Sequence, residues 1–208
     1  MPDQLKQIAL STKGFMPEDE GDALFAAAIE AARVVPAADF VEIGSYCGRS
    51  TVWLGVAARL SGVKVHAVDH HGGSEENQPG WEWHDESLVN PATGRLDTLP
   101  HFLATLDRAG LNDVVNPVVA ESRTAASSWT TPISLLFIDG GHGREVARTD
   151  WTSWSPLLRS GATLAIHDVF VDERDGGQAP YEEIYLPAIA AGFTEISRTG
   201  SLRVLRKP

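Results

Sequence analysis

Phe40-Val41-Glu42-Ile43-Gly44-Ser45-Tyr46-Cys47-Gly48-Arg49-Ser50 decides the fold. A short apolar run carries one charge, Glu42, and stops at Gly44. From Ser50 to Leu60 the apolar residues recur at helical spacing. The stretch therefore reads strand, turn, helix. Its glycines permit a tight turn and let a ligand come close to the backbone. The helix start offers free amides to a carboxylate or other anion. The same turn could need glycine for packing alone, and on this stretch by itself both readings stand.

Working outward, the pattern repeats. Asp22–Val34 has Leu24, Phe25, Ala28, Ile29 and Ala32 on one helical face, and Pro36 ends it. Val63–Val68 is the second strand. Leu96–Ala109 reads as a helix and Val114–Val119 as a third strand, placed at a sheet edge by Pro117. Ile133–Ile138 and Ala162–Ile166 are the fourth and fifth strands. Between them Arg144–Leu158 is a helix that Pro156 should kink or shorten, with Trp151 and Trp154 as core. Tyr181–Ala191 is a helix, and Phe193–Ser197 with Leu202–Leu205 forms a terminal hairpin. Strands alternating with helices give an α/β domain with a mostly parallel sheet.

The 208 residues suit one domain. Within it, residues 1–36 form an N-terminal helical segment. Residues 70–95 lack any period and suit a lid or substrate loop. The 17 basic and 28 acidic residues give a net charge of −11, which argues against a general grip on nucleic acid or an anionic membrane. Cys47 is the only cysteine, so no intramolecular disulfide can form; it reads as a packing residue. Met1–Leu10 does not resemble a signal peptide, and no run is long and apolar enough to span a bilayer. The expected location is the cytoplasm.

Four strands end in polar or glycine clusters: Gly44–Gly48, Asp69–His71, Asp139–His142 and His167–Asp168. In an open parallel sheet, ligands bind beyond such ends. Asp69 lies 25 residues after Gly44, where a carboxylate can accept both hydroxyl protons of a ribose. The turn is not Gly-x-Gly-x-x-Gly, because Tyr46 and Arg49 occupy the second and third glycine places. That favours a nucleoside cofactor without a pyrophosphate.

Together, Glu-x-Gly-x-x-x-Gly-x-Ser, the acidic end of the second strand, Phe137-Ile138-Asp139-Gly140-Gly141-His142 and His167-Asp168-Val169 resemble the class I S-adenosylmethionine-dependent methyltransferases. Within that superfamily the chain is similar to the metal-dependent O-methyltransferases of small molecules, and among these to actinobacterial sugar enzymes. The resemblance spans roughly Gly14 to the C-terminus. It implies a Rossmann-like, doubly wound, mostly parallel seven-stranded sheet with a C-terminal antiparallel hairpin.

For the cofactor, S-adenosylmethionine, the resemblance implies contacts from Glu42, Gly44, Ser45, Gly48, Ser50, Asp69, Glu121, Ser122 and Asp139. Gly14-Phe15-Met16 resembles a segment that closes over it. Asp139, His167 and Asp168 would hold a divalent metal, magnesium or manganese. His167 stands where a carboxylate is commoner, and an imidazole suits zinc, nickel or manganese better than magnesium. His142 is the candidate base, with Asp139 beside it as a catalytic residue; His70 and His71 are rivals. The partner would be a small hydroxyl acceptor, a saccharide by resemblance. Trp81 and Trp83 with Glu75, Glu76, Asp85 and Glu86 suit sugar recognition. The resemblance also admits a homodimer.

Three other readings compete. An NAD-dependent oxidoreductase lacks its glycine fingerprint here. A non-catalytic nucleoside-binding protein would have no need of Asp139, His142, His167 and Asp168. A metal-dependent hydrolase leaves the Gly44 turn and Asp69 without a task.

Overall fold

The computed structural model describes residues 1–208. Helices Asp3–Ser11 (α1) and Glu18–Val34 (α2) lead into strand Asp39–Ile43 (β1), helix Arg49–Ser61 (α3) and strand Val65–Asp69 (β2). Residues 70–95, expected to form a lid, carry only two short helical turns and a two-residue pairing, Val89–Asn90 (β3) with Arg95–Leu96 (β4). Then follow Leu99–Ala109 (α4), Val115–Val119 (β5), Ser122–Ser127 (α5), Ile133–Ile138 (β6), Arg144–Trp154 (α6) and Leu158–Ile166 (β7). Leu186–Ala190 (α7), Thr194–Thr199 (β8) and Leu202–Arg206 (β9) complete the chain.

Seven strands form one sheet in the order β5-β2-β1-β6-β7-β9-β8. All neighbours are parallel except the β7–β9 and β8–β9 pairs. This is the doubly wound sheet with an antiparallel C-terminal hairpin that the sequence implied. The chain winds outward from β1 through β2 to β5, then returns to the other side of β1 with β6. The switch point therefore lies between β1 and β6, and a crevice opens beyond their C-terminal ends.

Alternation along β1 builds the core on both faces. Phe40 joins the cluster with Trp53, Leu54, Phe102 and Leu106, under α1 to α4. Val41 and Ile43 join the opposite cluster with Trp154, Leu136 and Ile184. Glu42 follows Phe40's face and so points beneath α3 rather than into the crevice.

Several boundaries differ from the sequence reading. Leu96 pairs in β4, and α4 starts at Leu99 with Pro100 in its first turn, where no amide is missed. Helix α6 stops at Trp154 because Pro156 falls in the tight turn that follows, and β7 begins at Leu158 instead of Ala162. The expected helix over 181–191 opens as one wide i→i+5 turn, Tyr181–Tyr185, before α7. Pro187 has no amide with which to close an ordinary turn there. Trp154 is fully buried, but Trp151 is only half-buried, edge-on against Phe193. Strand β5, with Pro117, is the sheet edge as expected.

Candidate active site

The turn after β1 is held from within and from β2. Ser45 and Tyr46 donate their amides to Asp69 Oδ2 at 2.9 and 2.8 Å, and His71 donates its amide to Oδ1 at 2.7 Å. Asp69 thus fastens the turn to the end of β2. Gly44 has φ +84°, and a Cβ there would lie 2.2 Å from the Asp139 carbonyl. Only glycine lets the ends of β1 and β6 come this close. Ser45 Oγ is buried and has no partner.

Beneath the turn, Ser50 Oγ and Thr51 Oγ1 each donate to the Glu42 carboxylate at 2.6 Å. Glu42 is fully buried, and burial pushes its carboxyl up to about 8 against those two hydrogen bonds. The hydroxyl of Ser50 is therefore spent inside the protein. Glu42 and Ser50 brace the turn from beneath, Asp69 ties it to β2, and Gly48 packs against Phe102 and Thr105.

The second cluster lies across the switch point. Asp139, His167 and Asp168 offer one ligand atom each, all within 4.8 Å of one another. His167 Nδ1 is 2.9 Å from Asp139 Oδ1 and 3.2 Å from Asp168 Oδ2. Burial opposes a charge on His167, but Asp139, Asp168 and Glu20 outweigh it and hold the imidazole well above its ordinary range. His142 lies between two carboxylates: Nδ1 is 2.8 Å from Glu76 Oε1, and Nε2 is 2.9 Å from Asp168 Oδ2. Burial opposes its charge too, yet these partners push it up to about 10. Asp168 is held well below the usual carboxylate range by the two histidines, against its own burial.

Residues 41–169 match a family model described as a methyltransferase domain. The chain belongs to that methyltransferase family. Solved structures share the fold at low identity. TomG from Streptomyces achromogenes, an O-methyltransferase involved in tomaymycin synthesis and in complex with SAM, is 16% identical with a TM-score of 0.63; the match covers 100% of this chain and 91% of that one. An O-methyltransferase from Bacillus cereus in complex with SAH is 17% identical with a TM-score of 0.64, covering 100% and 92%. Cofactor-bound Rv0187 from MTB is 19% identical with a TM-score of 0.62, covering 97% and 85%.

The methyltransferase domain distributes the other sequence candidates unevenly. Glu121 is exposed at the start of α5, and Ser122 Oγ accepts the Trp154 indole N–H at 2.9 Å. His71 is buried, bonded through Nδ1 to Thr98 Oγ1 at 2.8 Å, while His70 is exposed. His71 is thus tied into the base of the 70–95 segment through Nδ1, while its Nε2 is buried without a partner. Cys47 is buried beside Leu88 and Leu96, and burial pushes its thiol up to about 12, which disfavours the thiolate.

The lid is closed by contacts that sequence reasoning did not foresee. Glu76, read as a sugar-facing carboxylate, is spent on His142. Asp85 is spent on Lys13. Phe15 touches both Tyr46 and Trp83, with ring centroids 5.8 and 5.3 Å apart. Arg49 holds the segment carrying Lys13 and Phe15 by donating to the carbonyls of Leu10, Thr12 and Met16. Met16 is buried, whereas Phe15 stays 56% exposed. The buried Glu20 was also missed. In sequence it reads as one more acidic residue in the first turn of α2.

No helix is long and apolar enough to cross a membrane.

Proposed function

We propose that this methyltransferase transfers a methyl group from S-adenosylmethionine to a hydroxyl of a small acceptor, at a site that also takes a divalent metal. The observation that carries the reading is the meeting of two clusters at one switch point. The Gly44–Gly48 turn with Asp69 lies on one side, and Asp139, His142, His167 and Asp168 lie on the other. The O-methyltransferase neighbours, two of them bound to SAM or SAH, support the same chemistry.

The residues fit both groups. For the cofactor, the Asp69 carboxylate would accept ribose hydroxyls with the lone-pair capacity left beside the three amides it already takes. The buried, unpartnered Ser45 hydroxyl waits at the turn. For the metal, two carboxylates and an imidazole nitrogen converge. Glu20, Glu76, Asp139 and Asp168 place four carboxylates around two imidazoles. With His142 charged and His167 neutral, as a ligating imidazole must be, three negative charges remain for a divalent cation to offset. Asp139, His167 and Asp168 would be its ligands, and Asp139 would also border the cofactor.

A bound divalent metal lowers the pKa of a hydroxyl held against it, and the sulfonium cofactor supplies an electrophilic methyl. The chain's own residues position the acceptor, take its proton and exclude water. His142 is the proton acceptor in this reading once it has given up the proton that Glu76 and Asp168 hold on it. Both its ring nitrogens are occupied while the lid is closed on Glu76, so the acceptor hydroxyl reaches it only when Glu76 withdraws. The rest of the 70–95 segment then covers the bound acceptor and excludes water, with Glu76 displaced from His142.

For the acceptor we propose a saccharide. Trp81 and Trp83 are 54% and 48% exposed on the lid, and Glu75, Glu82 and Glu86 remain exposed beside them without ion pairs. Rings can pack on a pyranose face while carboxylates accept its hydroxyl protons. A methylmannose polysaccharide precursor is the acceptor to try first. We also propose a cytoplasmic site of action and a homodimer, which sedimentation can check.

The test is calorimetric titration with S-adenosylmethionine and with NAD, before and after chelation, followed by methyl transfer to saccharide acceptors. Micromolar S-adenosylmethionine binding that Asp69→Ala weakens, with chelator-sensitive turnover, supports the reading. Binding of NAD alone, or of neither, sinks it.

A further inference from the structure

Glu20 is 4% exposed in the first turn of α2, far in sequence from every other residue of the site. A carboxylate buried this deeply is costly unless it is paired. Its partners come from two places. Ser201 donates its amide to Oε1 at 2.7 Å and its hydroxyl to Oε2 at 3.1 Å. His167 Nε2 lies 2.7 Å from the same Oε2.

The β8–β9 turn is shaped around this carboxylate. Gly200 has φ +50°, and a Cβ there would lie 2.0 Å from Glu20 Oε1. Ser201 Oγ also accepts the Asp168 amide at 3.3 Å, so one serine touches both Glu20 and a proposed metal ligand. Arg203, the buried cation nearby in the hairpin, donates to the carbonyls of Gly200 and Leu202 and leaves Glu20 to His167.

The contact with His167 is a charge contact more than an aligned hydrogen bond, since Nε2 has no partner in line with its N–H. Its consequence is directional. Glu20 covers one ring nitrogen, and the other, Nδ1, faces Asp139 and Asp168. A ligating histidine commonly has its second nitrogen held by a carboxylate, and that partner fixes which nitrogen is offered to the metal.

We infer that Glu20 is the positioning residue of the metal site: it holds His167 so that Nδ1 is presented with the carboxylates of Asp139 and Asp168. The resulting nitrogen-and-oxygen set takes manganese in preference to magnesium, which favours oxygen ligands and retained water. This rests on the metal reading given above.

The full-length protein is titrated with manganese, the free ion being followed by electron paramagnetic resonance, alone and against magnesium. Glu20→Gln keeps the shape and an oxygen for the Ser201 amide but loses the charge beside His167. The expected result is manganese binding weakened by roughly 10- to 100-fold, with S-adenosylmethionine affinity little changed and the metal-free melting temperature lowered, because a buried charge pair is broken. His167→Asp should shift preference toward magnesium. Wild-type binding matched by Glu20→Gln would overturn the inference and leave Glu20 as a tie between α2 and the hairpin. A wild-type protein that takes up no manganese would overturn the metal reading itself and Glu20's role with it. Should Glu20→Gln not fold, pulsed resonance of the manganese-loaded wild type still decides. A directly coupled imidazole nitrogen is expected, and its absence overturns the inference.

Discussion

The two halves of the site are built in opposite ways. The turn after β1 is made almost entirely from residues 42 to 71: Glu42 is braced by Ser50 and Thr51, and Asp69 gathers the amides of Ser45, Tyr46 and His71. The strand-end cluster draws on residues 20, 76, 139, 142, 167, 168 and 201. A short-range site is stiff because its own backbone satisfies it. A long-range site depends on elements that must first pack, and one of them, the 70–95 segment, meets it through Glu76 on His142 and Ser74 against Gly141. Under the function proposed above, the first would hold the cofactor in one pose, and the second would admit an acceptor that must enter and leave.

Four experiments would break or sharpen that contrast. The largest effect is expected at the long-range half. His142→Ala should lower the methyl-transfer rate constant by roughly 10²- to 10⁴-fold, the range for loss of a general base. S-adenosylmethionine affinity measured by calorimetry should hardly change. Full activity in that variant would move the base elsewhere.

At the short-range half, Asp69→Ala removes an ionised acceptor of three amides. Hydrogen bonds to charged groups contribute about 1.5–3 kcal/mol each. Cofactor affinity should fall at least about tenfold, and the urea midpoint should fall as well. A variant that loses affinity without losing stability would show that Asp69 serves the ligand alone.

Glu42 gives a pH signature that is confined to this half. Its carboxyl is raised in the folded protein to about 8 from an ordinary value near 4.5. The folded state therefore keeps a proton that the unfolded chain has released. The stabilisation is whole below the ordinary value and is lost as pH rises through that window. Urea unfolding between about pH 5 and pH 8 should show Glu42→Gln gaining on the wild type by roughly 1.4 kcal/mol per pH unit. Parallel curves would mean that Glu42 is already ionised.

The smallest effect is expected at the lid. Lys13→Ala removes an exposed pair with Asp85 that contributes less than about 1 kcal/mol. Global stability should stay put, while amide exchange over residues 74–88 quickens. Unchanged exchange would place the latch at Glu76 and His142 alone.

Reading the sequence located both halves, but it understood them to different depths. Gly44, Gly48 and Asp69 were legible because glycine freedom and a strand-end carboxylate are local properties, spaced by one βα unit. Asp139, His167 and Asp168 were legible as strand-end residues, and the sheet order brings β6 beside β7, so their meeting followed from topology. Ser50 was read as a ligand contact, but its hydroxyl turns inward to Glu42, because alternation along β1 sends that carboxylate under α3.

What the sequence by itself determined is the strand–turn–helix at Gly44, the doubly wound sheet and the identity of the polar strand ends. Each follows from periodicity, glycine and proline over a few residues. What only the tertiary structure decided is which charges meet. Glu20 reaches His167 because α2 packs against the turn of the β8–β9 hairpin. Glu76 reaches His142 because the lid folds back over β6. Nothing in the spacing of 20 to 167, or of 76 to 142, encodes a contact. Those pairs exist because burial leaves each buried charge needing a partner, and packing alone determines which one is within reach.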